Sequence, residues 1–118
     1  MAELFYFAML GFFLTHELDA MQRHEWRILP LTSFLPDETG RQVFVWLHVP
    51  LFAALFFYGA GDPNSSIAFG LSVFSIIHVG LHWLFKRHPK NAFDNPTSWA
   101  IILGTGLFGA SHLAALQL

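Results

Sequence analysis

The sequence contains no cysteine and few charged residues. The absence of cysteine excludes disulfide bonds, thiolate metal ligands and a cysteine nucleophile. Charged residues make up 12% of the 118 residues, whereas an ordinary soluble domain carries about 25%. Six Lys/Arg and eight Asp/Glu are too few to cover a chain that is 54% hydrophobic. We therefore expect a membrane protein whose main partner is the lipid bilayer.

Long uncharged runs predict where the chain crosses that bilayer. Residues 43–60, 65–85 and 97–118 contain no Asp, Glu, Lys or Arg, and a spanning helix needs about 20 mostly apolar residues. The first apolar run begins at Leu4, and a full span there includes His16, Glu17 and Asp19. No basic segment precedes it, so we expect a retained span rather than a cleaved signal peptide. The prediction is an all-α, integral membrane four-helix bundle, a single domain 1–118 with spans at about 3–22, 42–60, 65–86 and 97–117.

The basic residues predict the orientation of this bundle. All six lie in the first and third connections: Arg23, Arg27, Arg41, Lys86, Arg87 and Lys90. The positive-inside rule makes that side cytoplasmic and places both termini on the periplasmic or extracellular side of a bacterial inner membrane. The four tryptophans map to the cytoplasmic interface and the two tyrosines to the other one, as in an aromatic belt. Topology thus accounts for every basic residue, and no basic stripe remains for nucleic acid.

Histidine is the unusual polar residue, because seven histidines outnumber the six Lys/Arg. Counted at 1.5 Å per residue from the cytoplasmic helix ends, His16, His48, His78 and His82 lie ~6, ~7, ~10 and ~5 Å deep. His78 and His82 are four residues apart and share a helix face. His16 and Asp19 share another face, from which Glu17 points about 100° away. The sequence therefore predicts a polar layer in the cytoplasmic half.

Ionisable residues inside a membrane usually mark ion paths, proton relays or cofactor sites. Imidazole and carboxylate without sulfur suit Zn, Fe, Mn or Cu. We interpret the layer as a metal site, with the candidate ligands His16, Asp19, His48, His78 and His82, and with Glu17 as an outer-shell residue or catalytic base. Such a metal activates water or oxygen if one coordination position stays open. Whether the protein is an enzyme is left open by the sequence.

Other functions are compatible with the same layer. In the first, His48 pairs with His78 or His82 as the axial ligands of a b-type haem in electron transfer, and arginines at the interface bind its propionates. In the second, a proton or metal-ion conduit relays charge inward from His112, which lies ~22 Å from the cytoplasmic interface. Interhelical hydrogen bonding alone is a third, purely structural role.

The remaining features concern packing. The first connection, residues 28–40, is apolar in its first half and lies either in the headgroup layer or over the bundle as a lid. Gly104, Gly106 and Gly109 give the fourth helix a small-residue surface for close packing, within the chain or against a second protomer in a homo-oligomer. His24 and His88 are surrounded by Arg and Lys and are interpreted as interfacial residues.

The segment 14–30 contains His-Glu-Leu-Asp-Ala followed by Arg-His-Glu-Trp-Arg. It resembles a family of small four-span bacterial membrane proteins known as a domain of unknown function, and more distantly a family named for a His-x-x-Glu-Glu motif, whose paired glutamates are absent here. The resemblance implies a four-helix membrane bundle with His16, Glu17 and Asp19 as signature positions. It implies no particular activity.

Overall fold

The chain folds into four long helices and no β-strand. The computed structural model describes residues 1–118. The helices are α1 (Ala2–Gln22), α2 (Asp37–Ala54), α3 (Ser66–Leu84) and α4 (Pro96–Ala115). A π-helical turn (Leu55–Gly59) continues α2, and 3-10 turns follow α1 at Glu25–Arg27 and α3 at Phe85–Arg87. The prediction of an all-α four-helix architecture is confirmed.

Side-chain caps fix where α3 and α4 begin. The Ser65 hydroxyl accepts a hydrogen bond from the Ala68 amide at 3.1 Å. The Asn95 side-chain oxygen accepts one from the Ser98 amide at 2.9 Å, and Pro96 occupies the first turn of α4. Each cap satisfies an amide that has no partner within its helix, and proline there loses no helical hydrogen bond. The local sequence therefore determines both helix starts.

Three of the helical segments are long and apolar enough to cross a membrane, by length and composition. They are Asp37–Gly59, Ser66–Arg87 and Pro96–Ala115. The segment α1, which carries Glu3, Glu17 and Asp19, is not among them. This composition is consistent with a membrane protein whose first helix carries acidic side chains within its length.

The glycines of α4 allow it to pack closely against α1 and α3. A Cβ atom on Gly104 would lie 2.5 Å from the ring of Phe12 in α1. One on Gly106 would lie 2.5 Å from Cγ2 of Val79 in α3, and one on Gly109 would collide with a serine hydroxyl of α3. The expected close-packing role of these glycines is confirmed, and the surfaces they contact belong to the same chain.

The helix α2 lies apart from the other three. Its main contacts outside itself are with the 3-10 turn at Glu25–Arg27. At its far end, the Tyr6 hydroxyl of α1 donates a 2.7 Å hydrogen bond to the Gly59 carbonyl. The backbone in the middle of α2 therefore lies away from those of α1 and α3, and a cavity lies between them.

The first connection folds back over the end of the bundle. Its Trp26 and Ile28 are buried in an apolar cluster with Ala20, Phe44, Phe93 and Ile102. The beginning of the connection therefore packs over the end of the bundle, whereas its Leu31 and Phe34 are exposed. Burial of Trp26 and Ile28 offsets the conformational entropy that is lost when a connection with little regular structure is ordered.

The packing at Gly109 predicts a measurable stability difference. Gly109→Ala should lower the thermal unfolding temperature, because overpacking costs about 1–3 kcal/mol of stability. The Ser75 hydroxyl that the new methyl group would meet is held by a 2.7 Å hydrogen bond to the Ser72 carbonyl. Gly70→Ala in α3 is the matched control, since nothing lies within 4 Å of its added methyl group. Circular dichroism melts in detergent would measure both, and equal unfolding temperatures would contradict the packing.

Candidate metal centre

Three histidines from two helices meet in the interior. His16 extends from α1, and His78 and His82 extend from successive turns of one face of α3. The three ring centroids lie 4.5 to 4.8 Å apart, with the rings edge to face. His16 is fully buried and the other two are 6–7% exposed. The close approach of the helices therefore places three imidazoles around one point.

Glu25 completes this group from the first connection. Its Oε2 lies 3.9 Å from His16 Nε2 and its Oε1 lies 3.8 Å from His82 Nε2. One ligand atom from each of the four residues lies within 4.8 Å of all the others. We call His16, Glu25, His78 and His82 the His–Glu cluster; all four residues are buried.

A left-handed residue directs Glu25 toward the histidines. His24 has φ 55° and ψ 46°, which reverses the chain directly after α1. The turn that follows is tied to the start of α2, because the Trp26 indole donates to Asp37 at 3.0 Å and Arg27 forms an ion pair with Asp37 at 2.7 Å. These contacts hold the Glu25 backbone in place beneath His16.

The cluster leaves buried nitrogen atoms without hydrogen-bond partners. Both ring nitrogens of His16 and Nδ1 of His78 have none. One pair of cluster side chains lies within hydrogen-bond distance, since Nε2 of His78 is 3.2 Å from Nε2 of His82. An unsatisfied buried polar group costs about 1–3 kcal/mol, so a protein rarely retains several in one place without a ligand.

A metal ion bound by one nitrogen of each imidazole would give His16 the partner that it lacks. Two imidazole nitrogens bound to one ion at about 2.0–2.1 Å in tetrahedral geometry lie about 3.4 Å apart. The 3.2 Å separation in the cluster is close to that value, and the two distances to Glu25 are longer by about half an ångström. The buried His and Glu side chains can therefore hold a metal ion.

The electrostatics of Glu25 also favour a cation. No Lys or Arg forms an ion pair with this carboxylate, and the side chains within 4 Å that could pair with it are His16 and His82. Burial raises the pKa of the Glu25 carboxyl to about 8, and the negative charges of Glu17 and Asp19 act in the same direction. A buried carboxylate without a positive partner is costly, and a bound divalent ion would supply the missing charge.

Glu17 and His48 form a separate contact, which we call the Glu17–His48 pair. Glu17 Oε2 lies 2.6 Å from His48 Nε2. The other ring nitrogen, Nδ1, donates to the Phe44 carbonyl at 2.6 Å, which fixes the ring orientation. The predicted ligand His48 is therefore hydrogen-bonded to Glu17 and does not belong to the His–Glu cluster.

Asp19, the other predicted ligand, faces the beginning of α4. Ser98 donates to Asp19 Oδ2 at 2.6 Å, and Arg23 lies 3.4 Å from Oδ1. The structure thus brings together His16, His78 and His82 from the predicted set. Asp19 and His48 form hydrogen bonds with other residues instead. Glu25 was not predicted, because it follows the span and helical periodicity does not extend across the turn at His24.

His112 has a structural environment at the opposite end of the bundle. Its Nε2 donates to the Pro63 carbonyl at 2.9 Å, and its Nδ1 lies 2.7 Å from the Ser72 hydroxyl. Both nitrogens of this fully buried ring are therefore satisfied. Donation to a backbone carbonyl explains why a histidine lies so far from the other buried ones.

A cavity of about 660 Å³ adjoins the His–Glu cluster between α1, α2, α3 and the first connection. Glu25, His78 and His82 form part of its wall, and so do both members of the Glu17–His48 pair. Most of the other lining residues are apolar. The candidate metal centre is therefore accessible from one side to a small molecule.

The two fully buried histidines should respond oppositely to the same substitution. His16→Leu should raise the unfolding temperature of the chelator-treated protein, because it removes two unsatisfied nitrogens. His112→Leu should lower it, because Ser72 and the Pro63 carbonyl lose their partner. Thermal melts in excess chelator would measure both, and a similar decrease in the two variants would contradict the assignment of His16 as an unsatisfied group.

One comparison with known proteins gives a match. A family model described as Family of unknown function (DUF6713) covers residues 2–118. This confirms the resemblance to an uncharacterised family. No curated protein and no solved structure matches the chain.

Proposed function

We propose that this chain, which belongs to the DUF6713 family of unknown function, is an integral membrane protein that binds one transition metal ion through the His–Glu cluster. The observation that carries the proposal is the set of buried imidazole nitrogens without partners, located where a carboxylate also lacks a cation. A single divalent ion would bind one of the two His16 nitrogens and supply the positive charge that the Glu25 carboxylate lacks.

The donor set restricts the identity of the metal. Three imidazoles and one carboxylate, without sulfur, suit Zn, Fe, Mn or Cu more than Ca or Mg. Since three of the four donors also line the cavity, a metal ion that accepts a fifth ligand would take it from the cavity side. There the ion would polarise or deprotonate a bound water or substrate oxygen, and Glu17 is the nearby candidate base.

The proposed membrane location is supported by the outer surface of the bundle. Large apolar side chains remain exposed along α2, α3 and α4, including Trp46, Phe57, Leu84 and Leu107. The molecule is 47 Å long, close to the ~40–45 Å of a bilayer with its headgroups. All six Lys/Arg lie at the end that carries the cluster, five of them between helices and Arg41 near the start of α2, so we propose that this end is cytoplasmic in a bacterial inner membrane.

A proton or ion conduit is a second candidate, favoured by one specific observation. Ser72, Ser75, His78 and His82 form a buried polar line along α3, from the partner of His112 to the His–Glu cluster. The hydroxyl of Ser75, however, donates to the Ser72 carbonyl, and the side chain of Thr105 in α4 donates to its own helix. These two hydroxyl groups therefore already donate hydrogen bonds within their own helices.

A haem with His48 as an axial ligand has weaker support. Both nitrogens of His48 are engaged, by Glu17 and by the Phe44 carbonyl. Ligation through Nε2 would break the contact with Glu17. Haem b stays a prediction, and the visible spectrum of the purified protein distinguishes it from a directly bound metal ion by a Soret band.

Metal content is the direct test. The purified wild-type protein should contain about one transition metal ion per chain, and chelation should lower its unfolding temperature because the metal stabilises only the folded site. Glu25→Gln should reduce the affinity at least about tenfold while its amide keeps the size of the side chain. Elemental analysis and metal titration measure these effects.

Asp19→Asn is the matched control, because Asp19 bonds to Ser98 and Arg23 outside the cluster. It should leave metal content unchanged. Loss of metal from Asp19→Asn with retention by Glu25→Gln would reverse the ligand assignment. Absence of metal from a folded wild-type protein that also fails to bind added Zn, Fe, Mn or Cu would overturn the proposed function.

A further inference from the structure

The cavity beside the His–Glu cluster has the size and composition of a small-molecule site. Its volume of about 660 Å³ falls within the ~300–1,000 Å³ typical of ligand sites. Ten of its sixteen lining residues are hydrophobic, among them Phe13, Leu47, Leu51 and Leu81. An apolar body with a small polar group would match such walls.

The polar atoms of the wall come from two groups. His78, His82 and Glu25 belong to the His–Glu cluster, and Glu17 and His48 form the pair described above. A molecule in the cavity would therefore have access to the proposed metal ion and to a carboxylate that accepts hydrogen bonds. This arrangement fits one polar group with both a lone pair and a proton.

The charge of the wall selects the kind of polar group. Glu17 and Glu25 line the cavity, and no Lys or Arg does. With a divalent ion bound, its two positive charges are balanced by the Glu17 and Glu25 carboxylates, so a carboxylate or phosphate headgroup would add uncompensated negative charge in a site of low polarity. A neutral hydroxyl adds no such charge and donates its proton to the Glu17 carboxylate.

The cavity opens on the flank of the helices. Leu47, Leu51 and Leu81, on its wall, are 42–47% exposed. They lie in the two segments α2 and α3 that are long and apolar enough to cross a membrane. In a bilayer this opening would face acyl chains, so the natural entrant is a molecule already dissolved in the lipid.

We infer that the cavity binds a long-chain amphiphile with a neutral hydroxyl head, whose oxygen lies between the His–Glu cluster and the Glu17–His48 pair. This inference rests on the proposed metal-binding function, for which it names the class of ligand. The chain of the amphiphile lies along the apolar wall and leaves through the opening between α2 and α3.

Photo-crosslinking in nanodiscs tests this binding. The probe is hexadecanol with a diazirine in its chain, and hexadecanoic acid with the same diazirine is the matched charged probe. Mass spectrometry should locate saturable adducts of the alcohol on cavity residues such as Leu81 and Phe85. Unlabelled hexadecanol should compete for them, and the acid should label them on the order of tenfold less.

Two substitutions separate the cavity from the lipid-facing surface. Leu81→Trp and the alternative Leu47→Trp add volume to the cavity wall and should lower saturable labelling by the alcohol on the order of tenfold. Leu103→Trp, on the exposed surface of α4 (53% exposed), should leave it unchanged. Labelling that cannot be saturated, or that is equal in all of these variants, would overturn the inference, as would equal labelling by alcohol and acid.

Metal content measured on the same samples distinguishes this inference from the proposed function. Bound metal without saturable labelling would overturn the amphiphile site and leave the proposed function standing. Saturable labelling of a protein that binds no metal would overturn the proposed function and, with it, the placement of the hydroxyl at the cluster. Cobalt-loaded protein gives a further readout, since hexadecanol near the metal should change its visible absorption.

Discussion

Buried imidazole nitrogens must find partners, and most of this structure can be understood from where they do and do not find them. His16 lies within an apolar bundle, beside Phe93 and against the rings of His78 and His82. None of these neighbours bonds to either of its nitrogens. The position exists because α4, with its glycines, packs closely against α1 and α3. The energetic cost of His16 is therefore a consequence of tight helix packing, and a bound ion converts that cost into affinity.

The buried histidines at the two ends of the bundle have different kinds of partner. At one end, His112 uses both nitrogens within the protein and secures the connection between α2 and α3 through Pro63. At the other end, the connection after α1 brings a carboxylate to the histidines instead of a carbonyl. Carbonyls satisfy single N–H donors, whereas a carboxylate among several imidazoles is a typical metal environment. The end with His112 is thus structural, and the end with the His–Glu cluster is suited to chemistry.

Sequence periodicity could predict the part of this arrangement that lies within helices. Apolar run lengths predicted the helices, and the four-residue spacing of His78 and His82, with the depth of His16, predicted residues that the structure brings together. Depth does not determine rotation about the helix axis, so it could not show that Asp19 faces Ser98 or that His48 faces Glu17. Glu25 could not be predicted, because its place depends on the left-handed backbone at His24 and on the contacts of Trp26 and Arg27 with Asp37.

The position of α2 explains why the bundle has a cavity as well as a cluster. Contacts hold α2 at its two ends, through Asp37 on the turn after α1 and through Gly59 on Tyr6. Between these ends, the hydrogen bond between His48 and Glu17 is its polar contact with α1. The three helices that pack around the glycines of α4 therefore form one wall of the cavity, and α2 forms a second wall that is attached mainly at its ends. A hydroxyl that binds Glu17 competes with His48 for the same carboxylate, so the entry of the proposed ligand and the position of α2 are physically linked.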